Sequence, residues 1–273
     1  MSYRFHQFEG RFRERQRIVP ILLSIVWPVL GTLFSDWFNF LGNNSLLRVP
    51  YHNWVHTAYG LIWLVKSGAP TNAVLAYLGH DAGHNGNAKE SPESASADIL
   101  ERALGHDDLR NTVMHTVFPY VSSFDGIPDL WQQKSADTIE GAWIRRADTY
   151  RQFAGLTSDI GVPDATREDV YAFEGICLDH ELYEADGKMN FVQWIINGQA
   201  GFFPRQIDLG LDAGVFGEGI DIAEAHANVE HVRTWLNAFI VDPAKFAALR
   251  ELHRFAQQDV TLPEFVGRRM DLG

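Results

Sequence analysis

Apolar residues along this chain recur at spacings of three and four, while the strict alternation of half-buried strands is scarce. The pattern predicts an all-α fold, a compact multi-helix domain. Helices are expected over Thr57–Lys66 and Thr71–His84, with Thr71 a helix-starting residue and Leu75, Leu78 and Ala82 on one face. Ser91–Leu104 opens with serine, then proline at the first helical position. Asp107–Val117, Ser135–Gly155 and Met189–Gly198 also read as helices. Thr166–Glu184 begins with the capping-box run Thr-Arg-Glu-Asp. Glycine-rich Leu209–Gly219 is expected to be a loop. Ile220–Phe239 and Pro243–Gln258 are two closing helices, within 220–258. No repeat or linker divides the chain, so residues 1–273 are read as one domain, with a functional core over about 34–203.

Ile18–Phe34 carries no charge and follows Arg15 and Arg17. It is short against the roughly 20 residues of a membrane span, and Pro20, Pro28 and Gly31 interrupt it. A buried core helix kinked near Pro28 is the expectation, with a membrane anchor as the alternative. No small-residue cleavage site follows, so a removed signal peptide is not expected.

Hydrophobic residues make up 46% of the chain, enough for a sizeable core. The formal charge of −12 repels polyphosphate backbones and argues against a nucleic-acid polymer as partner. Small anions remain open if metal ions reverse the local field. The single cysteine, Cys177, excludes a disulfide framework and a cysteine zinc site. It fits a reducing compartment, so a cytoplasmic location is expected. Whether the chain forms a homodimer is left open.

Three segments carry candidate chemistry. In Val49-Pro50-Tyr51-His52-Asn53-Trp54-Val55-His56, the two histidines are four apart and would share a helix face. Gly79-His80-Asp81-Ala82-Gly83-His84 repeats that spacing and adds an aspartate beside the first histidine. Asp148 closes the run Ile144-Arg145-Arg146-Ala147. Imidazoles and carboxylates together make a mixed N/O shell for a divalent ion. An aspartate next to a ligating histidine can also offer its two oxygens to two ions. His115 is a further candidate ligand. Arg145 and Arg146 are expected in structural pairing, while His6, His106, His180, His226, His231 and His253 receive no role. A glycine-rich phosphate loop and a GxSxG element are absent from the sequence.

These motifs resemble the H…HD…D signature of the HD superfamily of metal-dependent phosphohydrolases. More narrowly, VPYHNWVH is similar to the YHNxxH segment of class I 3′,5′-cyclic nucleotide phosphodiesterases, and HDAGHNG to their HDxxHPG, with Asn85 in place of proline. Pro92-Glu93-Ser94, the Ala147-Asp148 pair and Gln199-Ala200-Gly201-Phe202 are similar to further elements. Thr149-Tyr150-Arg151 stands where that family usually carries an asparagine, and Asn87 sits early.

The resemblance implies two divalent ions (Mn, Mg, Zn or Fe). His56, His80, Asp81 and Asp148 would hold the first, with Asp81 bridging to the second. His84 and Glu93 would orient waters there, and His115 is a possible ligand of the second. His52 would be the general acid. Gln199 would bind a base edge with Phe202 on its ring. The implied reaction opens cAMP or cGMP to the 5′-monophosphate: a hydroxide shared by the ions attacks phosphorus and His52 protonates the departing 3′ oxygen. The alternatives are an HD phosphohydrolase of another nucleotide or phosphate ester, and a di-iron HD oxygenase.

Overall fold

The computed structural model describes residues 9–44, 49, 51–84, 91–105, 108–116, 138–151, 162–186, 190–212, 214–218, 220–258 and 260–272. His6, Asn85, Asn87 and His106, and the expected element ends at 107, 117, 135, 155, 189 and 219, lie outside the described residues. Among the described residues the fold is all-α and no strand is present.

Two helices form the centre because their sequences are apolar on every side. These are α4 (Trp54–Lys66) and α5 (Thr71–Gly79), numbered by their place in chain order. In α4 the residues from Trp54 to Ile62, and Leu64, are buried; in α5 so are all residues from Ala73 to Gly79. Around them pack α1 (Glu9–Ile25), α6 (Pro92–Leu104), α7 (Leu109–Val113) and α8 (Ile139–Arg145).

The apolar segment Ile18–Phe34 is buried on one side but is not one kinked helix. α1 runs through Pro20 to Ile25; α2 (Trp27–Leu30) is a single turn holding Pro28; α3 (Thr32–Asn44) begins after Gly31. Proline denies the α1 ladder a donor, and Gly31 takes φ 55°, which an L side chain resists. Ile18, Leu22, Val26, Leu30, Phe34 and Trp37 make the inward stripe, while Leu23, Trp27 and Val29 face outward. No helix among the described residues is long and apolar enough to cross a membrane.

Several other boundaries move. Pro70, not Thr71, is the residue before α5, and α5 stops at Gly79, so His80 and His84 do not ride one helix. His52 likewise lies ahead of α4, whose first turn is capped by the Asn53 side chain accepting from Val55 N at 2.8 Å and His56 N at 3.2 Å. The long helix expected around Asp148 is α8 followed by a π-helical stretch, Arg146–Tyr150. A second π-helical stretch, Trp194–Phe202, follows the short α10 (Phe191–Gln193) and leads into α11 (Phe203–Asp212). Leu209–Asp212, expected in a loop, is therefore helical. The apolar positions of α11 explain this, since Ile207 and Leu211 face α12 (Ile222–Val241) in a second buried cluster with Val229 and Leu236.

The expected starts at Ser91 and Thr166 do form. Ser91 accepts from Ser94 N at 3.1 Å. Thr166 and Asp169 exchange side-chain and backbone bonds at the head of α9 (Arg167–Asp186). The chain closes with α12, α13 (Pro243–Ala256) and α14 (Leu262–Leu272), the last unforeseen from periodicity. Arg145 and Arg146 both reach carbonyls: Arg145 donates to His115 O and Val215 O, and Arg146 to Phe216 O and Glu218 O. They clamp the α11–α12 loop onto α8.

Candidate metal centre

Three elements meet at the start of α4. His56 lies in its first turn, His80 and Asp81 follow the last turn of α5, and Asp148 projects from the first π-helical stretch. The turn carrying Asp81 sits directly on the head of α6. Gly83 N donates to Ser96 Oγ at 2.8 Å, and a Cβ on Gly83 would stand 2.3 Å from Pro92 O. Only glycine permits that approach.

Nitrogen and oxygen atoms of His56, His80 and Asp148 form one cluster. His56 Nε2 and His80 Nε2 lie 3.3 and 3.4 Å from Asp148 Oδ1, and 3.5 and 3.2 Å from Asp81 Oδ2. Ligands about 2.1 Å from one ion at the tetrahedral angle are about 3.4 Å apart, so these separations fit a shared divalent ion. Asp81 Oδ2 is buried and receives no hydrogen bond among the described residues, which leaves its lone pairs for such an ion. The residues present therefore fit the group.

Neighbours orient the ligands. His80 Nδ1 donates to Tyr77 O at 2.7 Å, which turns Nε2 toward Asp81 and Asp148. The Tyr77 ring stacks on His80 at 4.0 Å. His56 Nδ1 meets Arg151 Nη2 at 2.7 Å, and that same Nη2 donates to both Glu174 oxygens at 2.9 and 3.0 Å. Burial pushes the Asp148 carboxyl up, but hydrogen bonds from His56 and His80 outweigh it and hold the group well below the usual range. Glu174 is likewise raised by burial and lowered more by Arg151, to about 2.

A second cluster joins His52, His84 and Glu181. One carboxylate organises it: Glu181 Oε2 accepts from Tyr51 N and His52 N at 2.8 and 3.0 Å, and Oε1 pairs with His52 Nδ1 at 2.8 Å. Burial lowers the His52 imidazole, but Glu181 and Asp81 raise it further, to about 9. His52 and His84 stack at 3.6 Å. Burial, then the charges of His52 and His80, keep His84 well below its ordinary value, as the neutral imidazole that ligates metals. Asp81 Oδ1 lies 3.7 Å from His84 Nε2, so Asp81 presents one oxygen to each cluster. Burial raises the carboxyl of Glu93; the charge of His52 opposes that shift and the charge of Asp81 adds to it.

The remaining expected site residues stand apart. His115 is buried with Nδ1 donating to Asn111 O at 2.7 Å, and its ring lies against Gly141, in neither cluster. Gln199 is buried with its amide against Gly175, where an added Cβ would be 2.3 Å away. Half-buried Phe202 packs edge-on to Phe203 at 5.4 Å. His253, given no role, pairs with buried Asp179 at 2.8 Å and ties α13 to α9.

Sequence reasoning missed Glu174 and Glu181. Both lie on α9, seven apart and hence on one face, turned toward a histidine pair spaced by four. Their spacing by seven on one expected helix was the available signal. No protein-family model, no curated protein and no solved structure matches this chain.

Proposed function

We propose that this chain is a metal-dependent phosphodiesterase that opens 3′,5′-cyclic nucleotides such as cAMP or cGMP to 5′-monophosphates, using two divalent ions. The observation that carries this reading is Asp81, with Oδ2 beside His56 and His80 and Oδ1 turned to His84. Divalent ions bound there supply charge neutralisation at phosphoryl oxygens and acidify a bound water. His56, His80, Asp81 and Asp148 would hold the first ion. Asp81 and His84 would serve the second, with Glu93 near them.

His52 does the proton work. Glu181 takes Nδ1–H, so Nε2 is left to deliver a proton to the departing 3′ oxygen. A raised imidazole keeps that proton available at neutral pH. Water adds its oxygen to phosphorus and gives up a proton to solvent, the P–O3′ bond breaks, and the ester oxygen leaves as an alcohol with the proton from His52.

One observation favours a broader second reading. With its amide against Gly175, Gln199 gives no direct support to recognition of a base. Hydrolysis of another nucleotide or phosphate ester draws on the same ion cluster and the same His52–Glu181 pair. Phosphorus NMR of purified protein with Mn²⁺ or Mg²⁺ and cAMP or cGMP tests the first reading. Expected are a 5′-monophosphate product and its loss in Asp81→Ala. Turnover confined to phosphate monoesters would leave only the second reading, and turnover indifferent to Asp81→Ala would refute both.

A further inference from the structure

Arg151 is fully buried, immediately after the π-helical stretch that carries Asp148. It sends one nitrogen, Nη2, to three partners: His56 Nδ1 and both oxygens of Glu174. Its Nε and Nη1 make no hydrogen bond among the described residues.

The contact with His56 has a chemical consequence. A guanidinium only donates, so Nδ1 must accept, and the ring proton of neutral His56 then sits on Nε2, facing Asp148 and Asp81. An ion ligated through Nε2 cannot coexist with that proton. Were the proton moved to Nδ1, it would point at the Arg151 N–H. An acceptor is already at hand, because Glu174 Oε2 lies 3.8 Å from Nδ1. A shift of about 1 Å would bring that pair to ordinary hydrogen-bond length.

We infer that Arg151 and Glu174 form a two-position latch on His56, with Arg151 on Nδ1 when the first ion is absent and Glu174 on Nδ1 when it is bound. The inference rests on the metal reading of His56, His80, Asp81 and Asp148. The proton leaves Nε2 and is regained at Nδ1, so loading at this histidine releases no net proton. Arg151 is here a positioning residue that favours the empty state, and Glu174 one that favours the loaded state.

The latch is read directly in wild-type protein by ¹⁵N NMR of labelled histidines before and after Zn²⁺, with the His56 signal assigned by its loss in His56→Asn. The expected result is an Nε2–H ring without zinc and an Nδ1–H ring with it. Zinc that binds while the His56 tautomer stays the same overturns the latch and leaves the metal site standing. Absence of zinc binding by calorimetry overturns the metal reading, and the latch with it.

Zinc affinities supply an independent sign test. Glu174→Gln should weaken binding by about 10–100-fold, as loss of a ligand's partner does. Arg151→Met should tighten it. If Arg151→Met weakens binding as Glu174→Gln does, the pair merely props His56 and the latch is wrong. A misfolded variant leaves the wild-type tautomer measurement as the deciding result.

Discussion

Replacing Glu181 by glutamine separates the proton donor proposed here, His52, from the proposed metal chemistry. In the wild type one carboxylate holds two backbone N–H groups and the Nδ1–H of His52. Glutamine keeps a carbonyl for the backbone but removes the charge and turns an N–H₂ toward the imidazole. With that partner gone, only the charges of Asp81 and Asp148 still oppose burial, and the His52 imidazole drops from about 9; a return to the ordinary 6.5 sets the scale. At pH 8 the protonated fraction then falls from about 0.9 to about 0.03, a loss of about thirtyfold. At pH 6 the same arithmetic gives about 1.0 against 0.8, almost no loss. The assay is kcat for cyclic nucleotide hydrolysis from pH 6 to 9 at saturating Mn²⁺, with Mn²⁺ affinity measured alongside. A deficit that widens with pH while Mn²⁺ affinity holds is the expected result. A deficit of equal size at every pH, or none, would refute the role given to Glu181.

Stability of the metal-free protein should carry the same signature. A His52 imidazole raised from 6.5 to about 9 stabilises the fold fully below pH 6.5, and that contribution is lost as pH rises through 9. Its size is at most about 3 kcal/mol, reduced because the His52 side chain is 21% exposed. Urea unfolding of wild type and Glu181→Gln at pH 6.5 and 9.5 should differ more at the lower pH, and equal gaps would count against it. Asp148→Asn should abolish high-affinity Mn²⁺ binding by calorimetry; in wild type, ion at a hundredfold excess over Kd should add about 2.7 kcal/mol of stability. Retained binding in the variant would remove Asp148 from the ligand set. Gly60→Ala would place a Cβ 2.2 Å from the Tyr77 hydroxyl, and Tyr77 stacks on His80. Scanning calorimetry should register a loss of about 1–3 kcal/mol, with weaker Mn²⁺ binding; an unchanged Tm would mean that Tyr77 yields freely.

What was legible in the sequence and what was not divide by range. His80-Asp81 and the starts at Ser91 and Thr166 depend on neighbours within four residues, and each was readable. Helical periodicity foretold the core of α4, where every face is apolar. It overran α5, because the bonding that ends a helix at Gly79 and aims His80 sideways depends on α6 beneath it. The π-helical turn at Asp148 has no composition of its own. Glu174, Glu181 and Arg151 carry no local pattern that marks them, since their roles come from the packing of α9 beside the start of α4, which brings Glu181 to His52 and Glu174 to Arg151. Gln199 was singled out by its surroundings in sequence, but its amide went to Gly175, a contact that sequence spacing does not encode.

The π-helical stretch under Asp148 also has a bearing on how such a site tolerates insertions and deletions. A π turn holds about one residue more than the α turn it replaces, so the side chains beyond it are rotated by about 100° relative to an uninterrupted helix. Deleting one residue between Arg146 and Tyr150 could restore an ordinary helix with little penalty to the backbone, yet swing Asp148 or Arg151 off the centre. Length at this one turn, more than side-chain identity around it, is what a lineage or a protein engineer would have to preserve.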